Sequence, residues 1–183
     1  VLEKEVDIYE ADISEGQFLC DYQYFKNKTD FVPEGLEQKF LDEMAIEFCR
    51  NKNNLYTISL FPSHNRPIED LLSTIKQGYN VIYDKRIKLS ESGKLNYIHY
   101  QESWIGTKSS NYPGVIEKSN YCFAKGDDLR VILIEEDNID NLLYLKDKLR
   151  NVCKVGKHSV HINDTQEETW RIATSVFNQN SLD

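Results

Sequence analysis

The chain has 183 residues, enough to bury most of its apolar surface as one domain without a disulfide or a metal to hold it. Its 40% hydrophobic content, with eleven tyrosines and eight phenylalanines, excludes intrinsic disorder. Thirty acidic against 22 basic residues leave a formal charge of -8, which repels a phosphodiester backbone and argues against nucleic-acid binding.

In chain order, the first segments read as a hairpin. In LEKEVDIYE the apolar Leu2, Val6 and Ile8 share one parity, Phe18, Cys20, Tyr22 and Tyr24 repeat the period of two, and Gly16 lies between the two runs. A helix is predicted over 33–50, with Leu36, Phe40, Leu41, Met44, Ala45 and Phe48 on one face and Pro33 where a missing N–H costs least. LYTISLF, Leu55 to Phe61, is a short apolar strand that leads through the polar turn PSHNR into a helix carrying Ile68, Leu71, Leu72 and Ile75 and ending near Gly78. VIYDKRIKL and KLNYIHYQ alternate across the turn SESG and are expected to form an antiparallel hairpin. From Trp104 to Phe123, the residues Gly106, Pro113, Gly114 and the polar run TKSSN predict a long loop that ends in a short helix.

The strand-turn-helix unit then recurs. LRVILIEE, Leu129 to Glu136, is followed by a helix with Ile139, Leu142, Leu143, Leu149 and Val152, basic in its last turn and closed by Gly156. HSVHI, His158 to Ile162, is followed by NDT and a helix with Trp170, Ala173, Val176 and Phe177. The expected fold class is therefore α/β or α+β: a mixed sheet with β-α units and helices packed on it, plus antiparallel hairpins, in one domain spanning 1–183. The start at Val rather than Met reads as part of a longer protein. Cys20, Cys49, Cys122 and Cys153 are far apart and form no C-x-x-C pair, so they read as core thiols of a cytoplasmic protein. No apolar run approaches a membrane span, VLEKEVDIYE has no signal-peptide pattern, and no membrane partner is expected.

The densest chemistry lies in GKHSVHINDTQEET, Gly156 to Thr169. Alternation on a strand puts His158, Val160 and Ile162 on one face and Ser159, His161 and Asn163 on the other. The two histidines then point apart, so H-x-x-H is not read as a zinc pair, and His158 is expected at the edge of the core. Thr165 with Glu168 fits the S/T-x-x-E capping box, a purely structural account of NDTQEE. His161, Asn163 and Ser159 would nevertheless stand beside a helix N-terminus, where free N–H groups attract anions. PSHNR repeats the arrangement with Ser63, His64, Asn65 and Arg66, and the third turn supplies Glu135, Glu136 and Asp137.

Were the three strands parallel neighbours, all three turns would share one edge of the sheet, where open α/β sheets bind ligands. The candidate set is then His161, His64 and Asp164 for proton transfer, with Arg66, Asn163, Ser159 and Thr165 holding a small anionic ligand. That mixture suits a phosphate ester: Arg66 and the helix termini hold oxyanions, a histidine moves a proton near neutral pH, and Asp164 or Glu135 orients it or a divalent metal. No Walker sequence, G-x-G-x-x-G or G-x-S-x-G occurs. Asp84 and Arg86 share one face of the candidate hairpin and read as cross-strand charge pairing, and Arg130, in an apolar strand, needs a partner if that face is covered.

The segments YQESWIG, GVIEKSNYCF, LRVILIE and GKHSVHINDTQEETWRIATSVFN resemble blocks of a module found in bacterial and viral proteins to which no activity is assigned. The resemblance covers roughly residues 94–183. Related modules stand upstream of nucleotidyltransferase-like domains and near surface-glycan genes, which implies a role with sugar phosphates or nucleotide sugars; it carries over no catalytic residue. The expected function is an enzyme or enzyme subdomain that binds a phosphorylated sugar or nucleotide. The alternatives are a non-catalytic interaction or regulatory module of a larger protein, and a metal-dependent hydrolase using His161 with Asp164 or Glu135.

Overall fold

The computed structural model describes residues 37–101 and 113–178. The hairpin expected at the start of the chain, Cys20 and Trp104 lie outside the described residues. Along the chain run α1 (Glu37–Asn51), β1 (Leu55–Leu60), α2 (Ile68–Gly78), β2 (Asn80–Lys88), α3 (Glu91–Gln101) and α4 (Pro113–Cys122). They are followed by β3 (Asp128–Glu135), α5 (Ile139–Cys153), a 3-10 turn at Gly156–His158, β4 (Val160–Ile162) and α6 (Gln166–Val176). No helix among the described residues is long and apolar enough to cross a membrane.

The fold mixes α and β structure as the patterning predicts, but its sheet is not mixed. Strand order is β2-β3-β1-β4, and each described pairing is antiparallel: β1 with β3, β1 with β4, and β2 with β3. Strands β1 and β2 therefore point the same way with β3 between them, and β3 and β4 point the same way with β1 between them. Each β-α-β crossover skips one strand, which is the split connection of ferredoxin-like folds, here with α3 and α4 inserted between β2 and β3.

Both faces of the sheet are covered. On one, Ile58, Leu60, Ile132, Ile134, Val160 and Ile162 meet Leu71, Leu72 and Ile75 of α2 and Leu142, Leu145 and Leu149 of α5. On the other, Leu55, Phe61, Leu129, Val131 and Leu133 meet residues of α1, α3, α4 and α6, among them Phe48, Ile98, Cys122 and Ile172. A β-bulge between Val81 and Tyr83 turns Ile82 and Tyr83 into this second core while Val81 serves the first.

One predicted strand is a helix. KLNYIHYQ reads as alternating Leu95, Tyr97 and His99, but the buried positions are Lys94, Tyr97, Ile98 and Gln101, at helical spacing. Two polar residues on the inward face hide the apolar stripe. The turn SESG is its cap: the Ser90 hydroxyl accepts the N–H of Gly93 at 3.1 Å. Residues 113–122, expected at the end of a loop, form a ten-residue helix beginning at Pro113.

Polar pairs fasten the layers. Arg130 meets Asp84 through two hydrogen bonds of 2.5 and 2.8 Å, supplying the partner its strand position demands. On the opposite face Lys85 Nζ bonds Asp42 at 2.8 Å and the carbonyl of Val176 at 2.8 Å, while the Tyr83 hydroxyl donates to Asp42 at 3.0 Å. These contacts join β2 to α1 and to the end of α6. With both side chains of the pair under 10% exposed, Asp42→Ala leaves a buried ammonium without its counter-charge and is expected to cost about 3 kcal/mol in urea unfolding. Glu43→Ala, which removes an exposed contact of 4.0 Å to Lys39, should leave the midpoint unchanged.

Candidate anion-binding site

The antiparallel pairing divides the residues that the sequence suggested for one rim. Leu55 at the start of β1 lies opposite Glu135 at the end of β3, and Ile58 opposite Ile162 at the end of β4. Glu135 to Asp137 and Asn163 to Thr165 thus leave the sheet at the end where β1 begins. His64 and Arg66 follow the other end of β1. The shared edge expected for all three turns does not form, because β1 runs against both of its neighbours.

At the first of these ends, Asn163 is fully committed. Its side chain is 1% exposed; Oδ1 accepts from the Thr57 N–H at 2.6 Å and the Thr57 hydroxyl at 2.7 Å, and Nδ2 donates to the Thr165 carbonyl at 2.8 Å and the Thr169 hydroxyl at 2.5 Å. No donor or acceptor of the amide is left for a ligand. Thr165 is the N-cap of α6, its hydroxyl accepting the N–H of Glu168 at 3.2 Å, as the capping box predicts. Glu168 does not complete the box on Thr165: its carboxylate reaches His161 Nε2 at 3.3 Å instead. Asp164 is exposed. His158 lies in the 3-10 turn rather than in the strand and stacks on Tyr121 with ring centroids 4.7 Å apart, so the two histidines of HSVHI take different partners.

The other end is shaped by the backbone after β1. Phe61 N–H donates to the carbonyl of Ser159, Ser63 N–H turns back to the carbonyl of Phe61, and the carbonyl of Pro62 accepts Lys125 N–H at 2.8 Å, drawing in the turn that leads to β3. Ser159 is therefore the one predicted residue of the HSVHI segment at this end, but it is wholly buried and its hydroxyl donates to Gly156. His64 Nδ1 accepts the N–H of Arg66 at 3.1 Å, which places the ring proton on Nε2. Pro67 precedes α2 and supplies no side-chain cap.

These residues form a recess of about 510 Å³ that is lined by Ser63, His64, Asn65, Arg66 and Pro67, by Lys125, and by Val152 to Val155 at the end of α5. Three of the lining residues are cations, and none is a carboxylate. Lys154 is held there by an unusual backbone: it caps α5 in the left-handed region at φ 61°. Ser63 is 6% exposed, and its hydroxyl has no hydrogen-bond partner. Burial, followed by the charge of Arg66, lowers the basicity of His64, so the imidazole is neutral at neutral pH. Burial pushes the Cys153 thiol up against the weaker pulls of Ser159 and Arg66, which leaves it a poor nucleophile.

His64 and Arg66 also line a second cleft of about 360 Å³, together with Glu69, Arg86, Asp128 and Arg130. His161, Asn163, Asp164 and Thr165 line neither concavity. Lys125 and Lys154 were invisible from the sequence: one sits in a polar turn before a strand, the other in a basic helix end that dipole complementation already explains. Only the strand order brings them to Arg66.

Two outcomes follow at the Asn163 end. Asn163→Ala strips bonds from buried groups on β1 and α6 and should cost about 3 kcal/mol in denaturant unfolding, against about 1 kcal/mol for the cap variant Thr165→Ala. Burial alone would raise the Glu168 carboxyl, but the hydrogen bond and charge of His161, with the Asp164 N–H and Arg171, outweigh it and hold the group below the ordinary 4.5. The unfolded chain then takes up the proton first, so this stabilisation is complete above pH 4.5 and is lost as pH falls through the folded titration. Glu168→Gln should flatten that acid limb in stability measured against pH.

No protein-family model matches the chain and no curated protein is similar to it, so the chemistry of this corner stands on its own geometry.

Proposed function

We propose that the protein binds the phosphoryl group of a phosphorylated sugar or nucleotide at the His64–Arg66 corner, alone or as the ligand-binding part of a larger enzyme. The observation that carries this reading is the recess whose lining holds Arg66, Lys125 and Lys154 together with Ser63 and no carboxylate, in a chain of net charge -8. A phosphate offers two negative charges and several acceptor oxygens. The Arg66 guanidinium suits it as a two-pronged donor and the lysines as point charges. The N-terminus of α2 adds about half a positive charge, but Glu69 and Asp70 in its first turn oppose it. The three side-chain cations therefore supply most of the attraction.

His64 is the group at this corner suited to moving a proton near neutrality. Its Nδ1 is engaged by the main chain rather than by a carboxylate, so binding is better supported than catalysis. Among the described residues no three His, Cys, Asp or Glu side chains gather to hold a metal ion, and the reading involves none.

Lys154→Gly separates binding from folding. Glycine relieves the left-handed backbone and should raise stability by about 1 kcal/mol, while loss of the ammonium should weaken inorganic phosphate binding about tenfold in calorimetric titration. Arg66→Ala should weaken it at least as much, and added salt should weaken the wild type. Undiminished phosphate affinity in both variants would overturn the assignment.

A further inference from the structure

The outer face of α5 carries apolar side chains that the fold does not cover. Seven large hydrophobic residues are exposed among those described, and three of them, Ile139, Leu143 and Tyr144, stand within the first two turns of this helix. Single exposed apolar groups are ordinary, but a contiguous set marks a contact surface. Elsewhere such groups have partners: Tyr121 stacks on His158, and the Arg50 guanidinium sits 5.9 Å from the ring of Trp170. Tyr144, the most exposed of the seven at 66%, makes no hydrogen bond or ring contact among the described residues.

Tyr144 also walls a notch of about 370 Å³ between the end of α2, residues Gln77 to Tyr79, and Asn141 and Lys148 of α5. The Tyr79 hydroxyl donates to the Asn141 carbonyl at 2.7 Å and ties the two helices together there. Beside Gly78 the notch is open, with no atom within 4 Å of where a β-carbon would stand. It shares no lining residue with the recess or the cleft beside Arg66.

We propose that this face pairs with a second copy of the chain, α5 against α5, antiparallel about a two-fold axis that passes beside Tyr144.

The placement of charge selects that partner. Asp140, Tyr144 and Lys148 follow one another at four-residue spacing and form one ridge of the helix. Asp140 and Lys148 are about 12 Å apart along the axis, too far to pair within one helix. Neither has an ion-pair partner among the described residues. Each stands about 6 Å from Tyr144, in opposite directions, so the two-fold axis brings Asp140 of each copy to Lys148 of the other. Tyr144 meets its own counterpart at the axis, and Leu143 and Ile139 lie against the partner's helix.

The flanking sequence has the same sense. Residues 136–140 hold three carboxylates and no cation, whereas 146–154 hold four cations and one carboxylate. Antiparallel packing sets each group against the other and opposes the helix dipoles; parallel packing would set like against like. A foreign partner would have to reproduce this order of charges, and a second copy has it by symmetry. Two chains of charge -8 repel at long range, so the pairing depends on these local contacts.

Sedimentation velocity of the intact chain tests the pairing. The wild type is expected to sediment as a dimer at about 100 μM and to dissociate on dilution. Asp140→Lys and Lys148→Asp, both at exposed positions, set like charges opposite each other and should each weaken association at least about tenfold, with the far-UV circular dichroism unchanged. Mixing these two variants restores both opposite-charge contacts and should return a heterodimer, as should joining the two substitutions in one chain. Tyr144→Ser should leave a monomer. A wild type that is monomeric at that concentration would overturn the proposal. So would a dimer that either charge reversal leaves undisturbed, or two monomeric variants that stay apart when mixed.

Discussion

The two central strands, β1 and β3, are apolar at both parities. Leu55, Ile58 and Leu60 in one, and Leu129, Val131, Ile132, Leu133 and Ile134 in the other, are each at most 1% exposed. An antiparallel sheet can leave one face to water, but strands of this composition cannot. The split β-α-β units cover one side only, with α2 and α5. The second side needs its own layer, which the chain assembles from α1 before the first strand, α3 and α4 between β2 and β3, and α6 after the last.

Two-sided burial has a weakness: a strand slipped by one residue would still bury apolar side chains on both faces, so hydrophobicity alone does not fix the register. The buried polar contacts do. Arg130 reaches Asp84 across β3 and β2, Lys85 reaches Asp42, and Asn163 takes the N–H and hydroxyl of Thr57. A slip would strand each of these groups in an apolar layer, at several kcal/mol apiece. The polar residues of the sheet thus specify pairing, and one of them, Arg130, reaches the cleft beside Arg66.

Most helices and strands were legible in the sequence because their periods are clean. Ile68, Leu71, Leu72 and Ile75 mark one helix, and Thr165 with Glu168 announces the start of another. The failures have physical causes. Residues 94–101 read as a strand because Lys94 and Gln101 occupy inward helical positions. The strand-turn-helix repeats suggested parallel neighbours because local sequence reports the unit and not which strand lies beside it; here an intervening strand reverses the pairing and sends PSHNR away from NDT. Half of the candidate site, His64 and Arg66, was legible as polar residues after a strand. Lys125 and Lys154 were not, since their meeting is a consequence of topology.

Antiparallel neighbours such as β2 and β3 are ordinarily joined by a few residues. Here the chain makes a long excursion through α3 and α4, yet leaves and re-enters the sheet at one point: Leu89 N–H bonds the carbonyl of Asp127 at 3.0 Å, and Lys94 clasps Asp127 from inside the detour. The returning arm carries Lys125, tied to Pro62, to the rim of the recess. Grafting a different excursion onto the same clasp would therefore leave the ladder intact while exchanging one of the cations that line the recess.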